Sequence, residues 1–311
     1  MKNRTSIILV IAIAVIFAVT AVASPFENAD VLRIGVPEEL VSLPIMYAYE
    51  HGKLDFPDKT IELIPYATEN HMIYDATTGY LDAFLCEAPT FIATREALDD
   101  FIVISATTKD LFLMGSPENS HISKLNDVKA AALGVYNYNQ CDLLLDMTIQ
   151  SQNIIGLTLD EALINDPIRR CELLLDSSLD FGIYPAPYAD YLSQQGARNL
   201  QNMQDLEPAM QFLVFSESLE TEQSEAVSNL VAEINHWDQD RTLSDSNMLL
   251  SKYLDLPRDY KLRKLPEASL FQRPDRDQLD MLLSWMYNTK RISSKYKYSD
   301  IVTEQATDIE D

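Results

Sequence analysis

Basic residues are scarce: 24 Lys and Arg stand against 48 Asp and Glu in 311 residues, for a formal net charge of -24. A field of that sign repels phosphate backbones and anionic lipid surfaces, which argues against a nucleic-acid binder. Cysteine is nearly missing. Cys86, Cys141 and Cys171 form no CxxC, so neither a disulfide scaffold nor a thiolate zinc site is supported, while one pair plus a free thiol and three reduced thiols both stay open. Eight glycines are few for a phosphate-cradling enzyme, and no GxGxxG, P-loop or GxSxG occurs. The four histidines, His51, His71, His121 and His236, show no HxxxH or HExxH spacing, so no metal site and no cofactor are expected. What is present is ample apolar material, 47% of residues, enough for a large core in a chain long enough for two lobes or one repeated plan.

Lys2 and Arg4 precede an apolar run from Ile7 to Val19, then Ala21-Val22-Ala23. Basic, apolar and small-residue regions in that order fit a secretory signal cleaved after Ala23, with an uncleaved N-terminal anchor as the alternative. Either way the body is expected outside the cytoplasm, in the periplasm or an equivalent compartment. Removing residues 1–23 takes two positive charges and no acids, leaving -26. No later apolar run in the sequence is long enough to span a bilayer.

Along the body, hydrophobic spacing predicts strands at Val31 to Val36, Ile61 to Tyr66, Leu81 to Cys86, Phe101 to Ala106 and Leu111 to Met114. Helices are predicted at Ser42 to Tyr49, Glu69 to Thr78 and near Thr90 to Leu98. The alternation restarts with a strand at Ala130 to Val135 and a helix at Cys141 to Gln150. A capping-box pattern Thr158-Leu159-Asp160-Glu161 is read as opening another helix, before a strand at Leu179 to Tyr184. Such alternation implies an α/β fold with mostly parallel sheet. After a strand at Phe212 to Phe215 the rest reads as helical, with Ala226 to Trp237 and Leu279 to Met286 at helix spacing and an irregular connector from Leu254 to Arg273. The tail after Thr303 is acidic and lacks aromatics.

Self-comparison supports two lobes. Ile34-Gly35-Val36 matches Leu133-Gly134-Val135 at an offset of 99, and the run Leu81 to Pro89 matches Leu179 to Pro187 at an offset of 98. In parallel α/β sheets ligands bind beyond the carboxyl ends of strands, so the repeat nominates facing loops. Glu38, Ser42, Tyr66, Glu87 and Thr90 come from the first lobe, and Tyr136, Asn137, Tyr138, Asn139 and Tyr184 from the second. Tyrosines offer flat faces with a hydroxyl, Asn137 and Asn139 offer donors and acceptors, and the glutamates accept. No Lys or Arg falls in these loops, with Lys109 only next door. A planar nitrogenous or amine-bearing small molecule fits this set better than a strongly anionic one.

The chain also resembles the SsuA/THI5-like (NMT1-like) periplasmic substrate-binding proteins of ABC importers. The resemblance rests on Leu32 to Val36, Leu43-Pro44 through Glu50-His51-Gly52-Lys53-Leu54, Gly79 to Ala83, Leu179-Asp180 with Ala186-Pro187, and Trp285 followed by Tyr296 to Val302. It implies a type II periplasmic-binding-protein-like fold: two α/β lobes with a ligand cleft between them, joined by crossing segments near 108–116 and 208–216. The corresponding division is a signal peptide at 1–23, a first part of lobe 1 at 24–110, lobe 2 at 111–210, and a return to lobe 1 with C-terminal helices at 211–311. The implied role is a monomeric, non-enzymatic solute-binding protein handing a small molecule to an ABC permease. Where family members open the second lobe with small Gly and Ser residues, this chain has Tyr136-Asn137-Tyr138-Asn139-Gln140, and the Cys-rich motif of the thiamine-pyrimidine branch is absent. The alternatives are an enzyme acting on a small heterocycle on the same fold, with Glu87 or Cys86 reacting, and a ligand-binding sensory protein.

Overall fold

A computed structural model describes residues 30–121, 125, 128–202, 209–237, 241–256, 260–265 and 270–304. The expected signal, residues 1–23, and the acidic tail from residue 305 lie outside them. The first sheet is built from β1 (Val31–Pro37), β2 (Thr60–Tyr66), β3 (Ala83–Glu87), β4 (Phe101–Lys109) and β10 (Ala209–Ser216), in the order β2-β1-β3-β10-β4. The second contains β5 (Leu111–Gly115), β6 (Ala130–Val135), β7 (Thr158–Leu163), β8 (Phe181–Pro185) and β9 (Arg198–Asn202), in the order β7-β6-β8-β5-β9. Asp110 carries the chain from one sheet to the other, and the return runs through residues 203–208, outside the described set.

Each sheet begins with three parallel strands, followed by one strand, β10 or β5, that is antiparallel to both of its neighbours, and ends with β4 or β9. The sheets are therefore more mixed than strand and helix alternation suggests. β5 enters from the first sheet through Asp110 alone and runs against both of its neighbours, as β10 does in the first sheet.

The internal repeat has a physical basis at the Leu-Asp pairs. The Asp82 carboxylate accepts from the Arg33 amide at 2.8 Å, and the Asp180 carboxylate accepts from the Ala132 amide at 2.8 Å. Both aspartates sit just before their strand and tie it to the next parallel one. A Cβ at Gly35 would lie 2.8 Å from Leu81 Cδ1, and one at Gly134 would lie 2.7 Å from Leu179 Cδ1. The leucine of each pair fills the space that its glycine leaves open. The strands predicted from Leu81 and Leu179 accordingly start two residues later, at Ala83 and Phe181.

One expectation is corrected. Thr158 to Leu163 is not a helix but an edge strand, paired in parallel register with β6 from Ala130↔Thr158 to Val135↔Leu163. Six consecutive ladder pairs outweigh a capping box whose downstream residues lack a continuing apolar stripe. The next helix, Pro167–Leu175, starts at Asp166, whose side chain accepts from the Ile168 and Arg169 amides.

Helices cover both faces of the two sheets. In chain order the first are α1 (Leu43–Glu50), α2 (Glu69–Thr77), α3 (Ala88–Ala93), α4 (Tyr138–Ser151), α5 (Pro167–Leu175) and α6 (Ala186–Gln194), of which α2, α3, α5 and α6 contribute to the site. Later come α7 (Glu217–Glu222), α8 (Ser224–Asn235), α9 (Leu243–Tyr253) and α10 (Arg276–Asn288), which pack chiefly on the first sheet's core. Cys86, Cys141 and Cys171 are all buried and unpaired, which settles the open question in favour of three free thiols. Among the described residues no helix is long and apolar enough to cross a membrane.

Candidate functional site

The carboxyl ends of the parallel strands of both sheets converge on one cavity of about 640 Å³. From the first lobe it is lined by Glu38 and Glu39 after β1, Tyr66 at the end of β2, Glu69 opening α2, and Glu87 and Thr90 at the β3–α3 junction. Across from them stand Tyr136 and Asn137 after β6, Asp166 before α5, Arg170 on α5, and Tyr188 on α6. Strand ends place these groups because a buried strand such as β3, closed to solvent throughout, delivers its last side chain where the sheet stops.

Glu87 is the buried hub. It accepts from Lys109 Nζ at 3.0 Å, from the Tyr136 hydroxyl at 2.6 Å and from Asn137 Nδ2 at 2.8 Å. Lys109, at the end of β4, also pairs with Glu39 at 2.6 Å. Burial alone would favour a neutral lysine, yet the charges of Glu39, Glu87 and Glu69 hold Lys109 protonated, with its pKa raised.

Glu69 sits on the other side of Glu87. Its carboxylate accepts from the Glu87 amide at 2.7 Å and the Thr90 hydroxyl at 2.8 Å. Enclosure first, and the Glu87 charge second, push its pKa up to about 8. Asn137 Nδ2 reaches Thr90 Oγ1 at 2.8 Å and Glu69 Oε2 at 3.3 Å as well, so one amide from the second lobe bridges three acceptors of the first. Tyr136 lies beneath two cations, with Lys109 Nζ 4.8 Å and Arg170 Cζ 5.1 Å from its ring centroid.

The rim is formed by Glu38, Tyr188 and Asp255. Burial raises the Glu38 pKa, while the Asp255 amide donates to it and the Asp255 charge raises it further. The Tyr188 hydroxyl donates to the Asp255 carbonyl at 3.1 Å.

Of the residues nominated from sequence, Glu38, Tyr66, Glu87, Thr90, Tyr136 and Asn137 line this cavity together. Ser42 and Tyr184 do not. Ser42 is buried and donates to the Pro37 carbonyl at 2.6 Å, holding the turn after β1, and Tyr184 is buried with its hydroxyl on the Arg170 carbonyl at 2.8 Å. Tyr138 and Asn139 fall in the first turn of α4, and their side chains lie outside the described set. Glu69, Lys109, Arg170 and Asp255 were missed. Lys109 carried a legible signal, as the last residue of an apolar strand, whereas Arg170 sits within a helix and reaches the cavity only through the packing of α5.

Cys86 is fully buried in the core under β3 and α3, and burial pushes its thiol pKa well up. A protonated thiol sealed in apolar packing is a poor nucleophile, so the reacting group considered beside Glu87 has no access to the cavity.

No family model matches the chain, and no curated protein matches it. Solved structures do. The periplasmic aliphatic sulphonate binding protein SsuA from Escherichia coli is similar at a TM-score of 0.71 and 17% identity, over 91% of this chain and 94% of that one. The alkanesulfonate-binding protein SsuA from Xanthomonas axonopodis pv. citri, bound to MOPS, gives 0.71 and 16%, over 90% and 99%. The desulfurization enzyme DSZB gives 0.64 and 13%, over 89% and 97%. The chain thus has the two-lobed periplasmic-binding-protein fold, and at such identities the likeness is one of fold.

Proposed function

We propose that this chain is an extracytoplasmic solute-binding protein of an ABC import system, exported by its N-terminal segment, which closes two lobes on a small organic molecule and presents it to a membrane permease. One observation carries the reading. The first-lobe groups Glu69, Glu87 and Thr90 are bonded directly to the second-lobe groups Tyr136 and Asn137 across a roomy cavity. A site whose polar walls come from two lobes is complete only when the lobes meet, so binding and closure are linked. A permease could then distinguish loaded from empty protein by the lobe surfaces it meets.

The enzyme alternative draws support from DSZB, which shares the fold, and from Glu69, whose raised pKa would suit acid-base work. It is weakened by the sealing of Cys86 and by the engagement of Glu87 in three contacts. Native mass spectrometry of protein purified from its own host, followed by identification of what it releases, separates the readings. Binding predicts a stoichiometric, chemically intact molecule. Tyr136→Ala, which removes the hydroxyl on Glu87 and the ring under two cations, is expected to retain the fold and release that molecule at least tenfold more readily. A processed product would favour the enzyme. An empty protein that no extract stabilises would contradict solute binding.

A further inference from the structure

We infer that the cavity takes an organic cation, an amine larger than a simple alkylammonium ion, and excludes sulfonates and other anions; this assignment rests on the solute-binding reading and names its ligand class. Of the two cations that line the cavity, Lys109 is already paired with carboxylates and Arg170 is almost wholly buried. Lys109 is 4% exposed and is shared between Glu39 and Glu87, two carboxylates for one ammonium. Arg170 is 2% exposed, donates to the Ile164 carbonyl and lies over the Tyr136 and Tyr184 rings. Its Nε has no acceptor, yet that atom is shut off from solvent, so it faces protein rather than the cavity. An entering anion would find, among the described lining residues, one cation without a carboxylate, Arg170, and that side chain is 2% exposed.

It would instead meet an excess of carboxyl groups. Six line the cavity against those two cations. Asp166 is satisfied by the amides of α5, and Glu39 and Glu87 by Lys109. That leaves Glu38 beside Asp255 as a carboxyl pair with no cation of its own among the described residues, while Glu69 stands beside a Glu87 that Lys109 already engages. Burial is the main cause of the raised pKa of both Glu38 and Glu69, and the charge of the neighbouring carboxylate, Asp255 or Glu87, adds to it. A cation seated beside Glu38 and Asp255 relieves their mutual repulsion, whereas an anion adds to it.

The apolar part of the lining agrees. Tyr66 and Tyr188 are among the lining residues, and their hydroxyls are tied to Asp75 at 2.7 Å and to the Asp255 carbonyl at 3.1 Å, which fixes the rings. Fixed aromatic side chains beside carboxylates suit a ring-bearing or polymethylene amine. A cavity of about 640 Å³ holds a molecule well beyond methylammonium in size. The net charge of -24 draws cations toward the cleft and repels anions from it.

The test uses the full mature protein, freed of carried ligand, with tryptamine and spermidine as cationic probes and ethanesulfonate and indole-3-propionate as anionic ones. Calorimetry and melting curves are expected to show binding of at least one amine and no response to either acid. The double variant Glu38→Gln, Asp255→Asn is expected to lose at least tenfold in amine affinity. Stronger binding of an acid than of both amines, or amine binding unchanged in the double variant, overturns the assignment, as does an anionic molecule released from host-purified protein. That last result would leave solute binding intact. A protein that carries nothing and answers no probe or extract would instead remove solute binding itself.

Discussion

Asn137 shows how much one side chain can decide. Its amide nitrogen lies within 3.3 Å of Glu69, Glu87 and Thr90 oxygens, so a second-lobe loop is tied to first-lobe acceptors. The neighbouring Glu69 makes this arrangement sensitive to pH. Its folded pKa of about 8 lies above its ordinary 4.5, so between those values the folded chain holds a proton that the unfolded chain releases. Stability from this group is therefore full below pH 4.5 and lost as the pH rises through 8. Glu69→Gln abolishes the titration. Its melting temperature relative to the parent is expected to rise from pH 5 to pH 8.5, and a constant difference across that range would show that Glu69 does not titrate as described. Glu87, Thr90, Tyr136 and Asn137 were legible in the sequence because each follows a strand end. Ser42 and Tyr184 were legible as polar loop neighbours, but their hydroxyls serve backbone carbonyls inside the lobes. Glu69 escaped notice because a helix-opening glutamate ordinarily reads as a dipole partner rather than part of a cavity wall.

Among the elements, the repeated Gly and Leu-Asp pairs explain why both sheets build the same three-strand parallel core. The match was visible at offsets of 98 and 99, and its cause is steric as well as hydrogen-bonded. Gly134→Ala would bring a Cβ to 2.7 Å from Leu179 Cδ1 and 3.2 Å from Arg170 Cγ. Leu179 can give way only by disturbing a packed neighbour, so the substitution is expected to cost about 1–3 kcal/mol in chemical denaturation. A cost near zero would mean that the close approach is not structural. The strand at Thr158–Leu163 was hidden for the opposite reason. Its local residues carry a helix-start pattern, and only pairing with β6, a non-local contact, imposes the extended form.

At the scale of the whole molecule, the lobes are also strapped outside the cavity. Trp285 Nε1 donates to Asp146 at 3.0 Å, and Arg291 pairs with Asp142, joining the C-terminal region of α10 to α4 of the second lobe. Both partners of the ion pair are partly exposed, so it contributes about 1 kcal/mol or less. Arg291→Ala is accordingly expected to speed ligand release by no more than about fivefold, measured by stopped-flow after dilution. A much larger effect would make this strap, rather than the cavity walls, the main closure contact. Sequence alone could expose the repeat and the strand-end loops, but not these straps, because they join residues more than a hundred positions apart.

The central claim, that both lobes close on one molecule, is tested most directly by hydrogen exchange of the stripped protein with and without the molecule it carries from its host. The account predicts that amides of residues 87–94 in the first lobe and 136–141 in the second gain protection together, at ligand concentrations that also raise the melting temperature. Protection confined to one lobe, or lying away from these segments, would contradict it.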